Sequence, residues 1–294
     1  MSFLTSLLVF MGITAIAVLS VYVLTGMAGL FSFGQAAFLA IGAYVTGIAM
    51  ARYGWSFWPA VALAVLLAMA VSLLIGIPTL KLRRDYFALA TFGFGEAVRS
   101  LLNTWVSFTG GAMGYAGIPT STTPAVVAVS VIVALVLVRN FKASRFGRVC
   151  LAIKSDELTA EALGARAVRY KLVAFLLSAG LAAFSGALYA TYTSYIEPGM
   201  YGWTRSAELI IMVFFGGLNS ITGAMVSTVL LSGLPELLRF AKEWRTVFYC
   251  LIIVFAINFR PQGLLGDREL TLTWLTKLVR RRRPLPAAVA GRER

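Results

Sequence analysis

The sequence predicts an all-α fold, a polytopic bundle of about eight or nine transmembrane helices with some segments discontinuous. Hydrophobic residues make up 59% of the 294 residues, charged residues only 13%, and the mean hydropathy is +0.84. Soluble globular chains carry roughly 25% charged residues, so this composition excludes a water-exposed surface over most of the chain. Long apolar stretches recur along the sequence, and the basic residues gather between them. Both features are typical of membrane helices joined by loops.

The first apolar segment, 4–24, is predicted to be a retained span. No positive region precedes it, its apolar run is too long for a signal-peptide core, and no small-residue cleavage pattern follows. A helix that crosses about 30 Å of hydrocarbon needs about 20 apolar residues. The other candidate spans are 35–51, 59–79, 86–102, 124–138, 171–193, 205–216, 221–234 and 246–259.

Glycine-containing breaks interrupt the apolar pattern at two places. The first, 29–35, separates the first two spans. The second, 216–220, separates 205–216 from 221–234, which form either two half-helices or one long, kinked helix. Irregular backbone is tolerated at membrane depth only inside protein or beside a cavity. The breaks therefore predict the position of a transport pathway.

Orientation follows from the basic residues, which collect on the cytoplasmic side of membrane proteins. Residues 139–171, called the charged loop below, contain eight basic and three acidic residues. This loop, the basic turn at 81–84 and the tail at 260–294 are therefore assigned to the cytoplasm. The loops 103–123, which has no charged residue, and 194–204, which has only Glu197, are assigned to the outer side. The N-terminus also falls on the outer side.

We divide the chain into a membrane domain, 1–266, which includes the charged loop, and a basic cytoplasmic tail, 267–294. The tail contains four consecutive arginines at 280–283. A basic segment of this kind beside a membrane is attracted to anionic lipid. Nucleic-acid binding is not expected, because no basic stripe is interleaved with exposed aromatic residues.

The charged loop contains a predicted short helix. Ser155 or Asp156 caps its start, Gly164 ends it, and Glu157 and Glu161 are four residues apart on one face. Such a helix either inserts into the groove of a cytoplasmic partner or packs against its own bundle. The residues alone favour neither alternative.

The residue types present argue against an enzyme. The chain has no histidine, and its two cysteines, Cys150 and Cys250, form neither a disulfide framework nor a metal cluster. The phosphate-binding pattern G-x-x-x-x-G-K-[ST] is absent from the sequence. We therefore expect no catalytic residue, no metal and no cofactor bound by this chain, with ATP hydrolysis left to other subunits.

Six blocks of residues, in their order and spacing, resemble the branched-chain amino acid importer permease of the M type, a subunit of ATP-binding-cassette importers. The segment 161–164, Glu-Ala-Leu-Gly, is similar to the "EAA…G" coupling segment of such permeases. Leu163 stands where that pattern often has a small residue, and Asn219 stands where glycine is common. The resemblance covers roughly residues 20–266. The six blocks are 32–38 with 41–44, 82–96, 109–111 with 117–119, 215–224, 234–239 and 260–264.

The resemblance implies a multi-subunit importer in the bacterial inner membrane. Its expected partners are a sister permease of the H type, two cytoplasmic ATP-binding subunits that use ATP and Mg²⁺, and a periplasmic substrate-binding protein. The ATPases are expected to dock on residues 144–164. The expected coupling residues are Arg145, Lys154, Glu157, Glu161, Ala162 and Gly164.

The pathway candidates are polar or small residues near the two breaks and within the apolar spans. Glu96 either lines the pathway or forms an ion pair with Arg99, and Glu208 is placed at the start of a span, where Arg205 is a candidate partner. The full set of pathway candidates is Ser32, Gly34, Gln35, Phe38, Tyr44, Thr91, Glu96, Gly216, Gly217 and Asn219.

The resemblance favours a branched-chain or other hydrophobic amino acid as substrate. Urea or a short-chain amide stays open, because related permeases carry these and the sequence shows no recognisable side-chain pocket. An autonomous secondary transporter or channel is a further alternative, but it would not need the charged loop. A membrane enzyme is disfavoured by the lack of histidine and the scarcity of intramembrane carboxylates.

Overall fold

The computed structural model describes residues 3–82 and 84–237, with the separate positions 250, 251, 254, 258, 263, 264 and 266. The tail predicted at 267–294 and most of the span predicted at 246–259 lie outside the described residues. Within the described part the chain is almost entirely helical, which confirms the predicted fold class.

The first half of the chain contains five helices. The first of them continues into a π-helix, Val23–Met27. Residues 28–34 then run without regular helix to the next one. The helices are α1 (Phe3–Tyr22), α2 (Gln35–Tyr53), α3 (Phe57–Thr79), α4 (Arg84–Thr104) and α5 (Val106–Thr109).

The second half contains six more helices and one short pair of strands. A 3-10 turn, Pro198–Tyr201, precedes the tenth helix. The elements are β1 (Tyr115–Ala116), α6 (Pro124–Ala143), α7 (Arg145–Ser155), α8 (Glu157–Ala162), α9 (Ala167–Thr193), β2 (Tyr195–Ile196), α10 (Trp203–Gly216) and α11 (Ile221–Leu237).

Among the described residues, five helices are long and apolar enough to cross a membrane. They are α1 with its π-helical extension, α2, α3, α6 and α9. Helix α4 covers the predicted span 86–102, but its composition is less apolar than theirs. Helices α10 and α11 are shorter, at 14 and 17 residues.

The core of the bundle consists of α1, α2 and α9. Helix α1 runs antiparallel to α9, since Ser178 and Ser185 of α9 donate hydrogen bonds to the carbonyls of Ser20 and Ile13. Helices α2 and α9 pack with their backbones in direct contact. A methyl group added to Gly186 would overlap the backbone of α2, and Gly42 is equally tight against α9. Small residues are what allow helices to approach this closely in a membrane.

Helices α3 and α6 cover the outside of this core. About half of their residues are exposed, and most of the exposed ones are apolar, as Leu66, Leu74, Ile132 and Val133 illustrate. An exposed apolar surface on long helices is the surface expected to face lipid.

The two ends of the bundle differ in character. The basic end carries the charged loop together with the turn between α3 and α4. The hairpin end carries the antiparallel pair of β1 and β2, in which Tyr115 lies opposite Ile196. This pair joins the two loops predicted to lie outside, 103–123 and 194–204. The strands were not predicted, because two residues are too few to show an alternating pattern.

The segments 205–216 and 221–234 lie in two separate helices, α10 and α11, rather than in one kinked helix. Gly217 ends α10 with a φ of 113°, and the chain reverses over 217–220. The helices then run antiparallel, with Gly216 against Gly223 and the hydroxyl of Ser227 donating to the carbonyl of Met212. This resolves the two alternatives left open by the sequence in favour of a helical hairpin.

Replacing Gly186 with alanine should lower the free energy of unfolding by about 1–3 kcal/mol, since overpacking a tight contact costs about that much. The added methyl group would overlap the backbone of α2. Unlike a side chain, the backbone cannot relieve the overlap by changing rotamer. Thermal unfolding of the purified protein in detergent, followed by circular dichroism, measures the change.

Gly93→Ala is the matched control. It lies within α4, and a methyl group there would have no neighbour within 4 Å. Alanine in place of a helical glycine is neutral or stabilising by up to about 1 kcal/mol. Equal melting temperatures for Gly186→Ala and Gly93→Ala would show that the α2–α9 contact is not tight.

Candidate functional site

The charged loop folds into two short helices whose ends are capped by side chains. The amide of Gly147 donates to Ser144 Oγ at the start of α7. At the start of α8, Asp156 accepts from the amide of Thr159 at 3.1 Å and from its hydroxyl at 2.6 Å. The hydroxyl bond and then the amide bond lower the pKa of Asp156, so the cap carries its charge at neutral pH. Gly164 follows α8 with a φ of 89°.

These caps confirm the helix predicted within the charged loop, with Asp156 rather than Ser155 as its N-cap. They also show a helix that was not predicted, α7. The sequence did contain a signal for α7, because Ser144 directly precedes the helix and serine is a preferred N-cap residue.

Helix α8 presents an apolar surface to solvent at the basic end. Leu158 and Leu163 are 80% and 86% exposed, and Glu161 between them is exposed as well. Glu157 instead forms an ion pair with Lys171 of α9, whose side chain is nearly buried. Of the two glutamates expected to form an acidic face, Glu161 alone points to solvent without an ion-pair partner among the described residues.

Three of the remaining predicted coupling residues are exposed, and the fourth, Lys154, is half-buried. Arg145, Ala162 and Gly164 are exposed around α7 and α8. Lys154 turns inward, where its ammonium group donates to the carbonyl of Gly26 and to the side-chain oxygen of Asn219, both at 2.7 Å. Lys154 therefore bonds to this chain's own backbone in the conformation described.

A second lysine of the charged loop reaches the same place. Lys142 donates to the carbonyl of Asn219 at 2.6 Å and to the hydroxyl of Tyr22 at 3.0 Å. Tyr22 donates in turn to the Asn219 carbonyl. We call these residues, Tyr22, Gly26, Lys142, Lys154 and Asn219, the lysine network. It ties the charged loop to the π-helix and to the break between α10 and α11.

A distant part of the chain also contacts this break. The amide of Leu264 donates to the carbonyl of Phe215 at 2.8 Å, and Gly263 lies against Gly217. Gly263 has a φ of 80°, in the left-handed region that favours glycine. The pathway candidates Gly216, Gly217 and Asn219 are thus held from two directions at the basic end.

A second group of pathway candidates meets where α2 begins. The amide of Phe33 donates to Thr91 Oγ1 of α4, and the amide of Gly34 donates to Ser32 Oγ. Gly34 itself lies against the carbonyl of Thr91. The ring of Phe38 packs on Phe94 and Phe175.

Gln35, the first residue of α2, is fully buried among three other helices. Its amide nitrogen donates to Ser178 of α9, which donates onward to the carbonyl of Ser20 in α1. The next amide, that of Ala36, donates to Ser206 of α10 at 2.9 Å. The predicted residues Ser32, Gln35, Phe38 and Thr91 are each no more than 1% exposed, so this region is closed to solvent in the conformation described.

Glu96 forms the ion pair that was one of its two predicted roles. Its carboxylate lies 2.6 Å from Arg99, and it also accepts from the amide of Trp203 at the start of α10. The contact links α4 to α10 beside the hairpin end.

A cavity of about 570 Å³ opens between α1, α2, α9, α10, α11 and the turn before α10. It holds a second ion pair, Arg205 with Glu208 at 3.0 Å, and Arg205 also reaches Thr14 at 3.5 Å. Its lining residues are Leu7, Phe10, Met11, Ile13, Thr14, Leu39, Ser185, Tyr189, Met200, Tyr201, Arg205, Glu208, Met212, Leu231, Ser232 and Pro235.

None of the ten pathway candidates lines this cavity. Tyr44 lies behind it, with its ring 6.4 Å from that of Tyr201. The pairing of Arg205 with Glu208 is confirmed, but the sequence interpretation placed it at the membrane interface. The signal that could have located the cavity is an opposite-charge pair three residues apart in a short apolar span next to a glycine break.

Comparisons with known proteins agree on one family. Residues 3–257 match the family described as branched-chain amino acid transport system / permease component. Over 281 residues the chain is 32% identical to the high-affinity branched-chain amino acid transport system permease protein LivM of Salmonella typhimurium. It is 31% identical to LivM of Escherichia coli over the same length. Each alignment covers 84% of this chain and 66% of the relative.

A weaker similarity extends to the sister protein in the same organisms. The chain is 27% identical over 190 residues to LivH of Escherichia coli, covering 63% of this chain and 60% of that protein. No solved structure matches the chain. The family match spans more than half of the chain and includes the five helices suited to cross a membrane. The chain therefore belongs to the family of branched-chain amino acid transport system permease components, and it is an integral membrane protein.

Proposed function

We propose that this chain is one of two permease subunits of an ATP-binding-cassette importer for branched-chain amino acids in a bacterial inner membrane. The observation that carries the proposal is the lysine network, because it joins the exposed α7–α8 surface to the break between α10 and α11. A channel that works alone has no need for such a link. The LivM and LivH relatives support the choice of substrate and the presence of a sister permease of the H type.

The exposed side of α7 and α8 is the proposed docking surface for the ATPase pair. Leu158 and Leu163 supply apolar contacts, and Arg145 and Glu161 supply charges around them. A short, capped helix with exposed apolar residues fits a groove on a partner. ATP and Mg²⁺ are bound by the ATPase subunits in this proposal, and this chain transmits the movement.

Movement of α7 reaches the membrane helices through Lys154, and Lys142, at the end of α6, bonds to the same break. Both lysines bond to Asn219, and Lys154 also bonds to the π-helix at Gly26. Displacing α7 therefore pulls on the α10–α11 hairpin and on the end of α1 together. Conformational switching by a partner requires such an element with two arrangements that the partner favours unequally.

The proposed orientation places the basic end and the tail in the cytoplasm and the hairpin end on the periplasmic side. The periplasmic substrate-binding protein then docks on the hairpin end, where β1 and β2 join the two outer loops. The basic tail lies beside the headgroups of the inner leaflet, where anionic lipid attracts it.

Uptake into proteoliposomes tests the substrate. The complete importer, with its sister permease, ATPases and cognate binding protein, should accumulate labelled leucine in the presence of ATP and should not accumulate labelled urea. The reverse result would assign the chain to the urea or short-chain amide permeases. Leucine uptake that continues without the ATPases would instead indicate an autonomous transporter.

Leu163→Asp should reduce co-purification of the ATPase pair by about tenfold or more, because it places a charge at the centre of an apolar contact. Fold stability should be unaffected, since the side chain is 86% exposed. The control is Met113→Asp, which is equally exposed, at 87%, but lies at the opposite end. Loss of the ATPases in both variants, or in neither, would contradict the assignment of the docking surface.

Lys154→Met should separate ATP hydrolysis from uptake. The variant keeps the docking surface and loses the two hydrogen bonds that reach Gly26 and Asn219. ATPase binding should therefore persist. Leucine uptake per ATP hydrolysed should fall about tenfold, as expected for the loss of a charge-assisted bond. Lys81→Met, at an exposed lysine of the same end, is the control and should keep both activities. Normal uptake by Lys154→Met would exclude the lysine network from coupling.

A further inference from the structure

The ion pair of Arg205 and Glu208 lies in the first half of α10. This helix begins at Trp203 beside the hairpin end and ends before Gly217 beside the lysine network. An α-helix rises 1.5 Å per residue, so Arg205 and Glu208 lie about 3 Å and 8 Å from Trp203 along the axis. Both residues are therefore nearer the hairpin end of α10 than its basic end.

Both charges face the cavity rather than protein. The side chain of Arg205 is 30% exposed and that of Glu208 is 50% exposed, and both line the cavity wall. An ionised group within a membrane domain does not face lipid without a large cost in free energy. Such groups mark water-filled routes or ligand sites. The cavity is therefore a polar space inside the membrane domain.

Two hydroxyl groups in the same wall are left without partners. Tyr201 is only 4% exposed, and neither its hydroxyl nor that of Ser232 has a hydrogen-bond partner among the described residues. A buried polar group without a partner costs about 1–3 kcal/mol. Both hydroxyl oxygens are closed to solvent in this conformation, so a ligand in the cavity would bond to them only after the side chains turn toward it.

Most of the remaining lining residues are aliphatic or thioether, and Phe10, Thr14, Ser185 and Tyr189 complete the wall. Methionine side chains adapt their shape to different apolar ligands. The volume of about 570 Å³ falls within the range of roughly 300–1,000 Å³ typical of small-molecule sites. The aliphatic and thioether residues that line it are Leu7, Met11, Ile13, Leu39, Met200, Met212 and Leu231.

We propose that this cavity binds an aliphatic α-amino acid as a zwitterion during passage. Arg205 binds the carboxylate, Glu208 binds the ammonium group, and the aliphatic side chain lies against the apolar wall. The inference rests on the proposed function and extends it to a site. A neutral solute such as urea has no use for two opposite charges three residues apart, whereas a zwitterion matches both.

In the conformation described, the two charges satisfy each other at 3.0 Å. Binding exchanges one ion pair for two between protein and ligand, so the charges are paired both in the empty site and in the loaded site. This exchange keeps affinity modest, because the protein pair must separate first. A modest affinity suits a site through which the ligand must pass.

The test uses the assembled permease and ATPase complex in lipid nanodiscs, without the binding protein, and measures equilibrium binding of labelled leucine. Arg205→Gln and Glu208→Gln should each weaken leucine binding by about tenfold or more, as expected for losing a charge-assisted bond. The competitor 4-methylpentanoate, which keeps the carboxylate and lacks the ammonium group, should lose affinity for Arg205→Gln and not for Glu208→Gln. Isopentylamine should show the opposite pattern.

The control variant is Arg52→Gln, which removes an arginine that packs on Phe108 outside the cavity. It should bind leucine as the wild type does. The double exchange, Arg205→Glu with Glu208→Arg, re-forms an ion pair with reversed polarity. If the pair serves structure alone, the exchange restores leucine binding in full, which would overturn the proposal. Recovered assembly with weakened binding supports it.

The outcomes separate the site from the function. Unchanged leucine binding in both single variants, alongside leucine uptake by the wild-type importer, overturns the site and leaves the function intact. Wild-type uptake of a different solute overturns the function itself. Assembly of each variant is verified by co-purified ATPase and basal ATP hydrolysis, so a misfolded variant is recognised before binding is measured.

Discussion

The direct contact between α2 and α9 is the constraint on which the rest of the bundle depends. Lipid gives membrane helices little hydrophobic reason to associate, so close packing and buried hydrogen bonds must hold them. Gly42 and Gly186 let the two backbones touch. The close packing fixes the first turn of α2 beside Ser178 and Ser206. These serines accept hydrogen bonds from the side chain of Gln35 and from the amide of Ala36. The irregular segment 28–34 can then exist inside the protein with its polar groups bonded.

The lysine network solves a similar problem at the basic end. A π-helix and a helix break both leave backbone carbonyls that their own helices do not satisfy. Lys142 and Lys154 supply donors to Asn219 and Gly26 from outside these elements. The charged loop is therefore part of the fold of the membrane domain. If the proposed docking of ATPases on α7 and α8 holds, the same bonds that complete the break would also attach it to the moving α7.

The sequence predicted well what depends on local pattern and poorly what depends on long-range contact. Apolar length predicted the long helices, and Asp156 with Gly164 predicted α8, because caps act within a few residues. The inward turn of Lys154 was missed, since its acceptors lie 128 and 65 residues away. The pathway candidates near α2 were named one by one, and the sequence did not indicate that they meet or that they are buried. The cavity is formed by five helices and a turn, and residues such as Tyr201 and Ser232 carry no local sign that they share a wall.

The connection of Asn219 to both the charged loop and the α10–α11 hairpin has a thermodynamic consequence. Linkage between two binding sites is reciprocal. If a ligand at one site changes the affinity of the other site by some factor, the ligand at the second site changes the affinity of the first by the same factor. If a nucleotide-bound partner pulls the hairpin toward a conformation that holds solute weakly, then loaded solute must disfavour nucleotide binding by the same factor. In the proposed importer, the affinity of the ATPases for nucleotide would therefore depend on the substrate supply without a separate sensor.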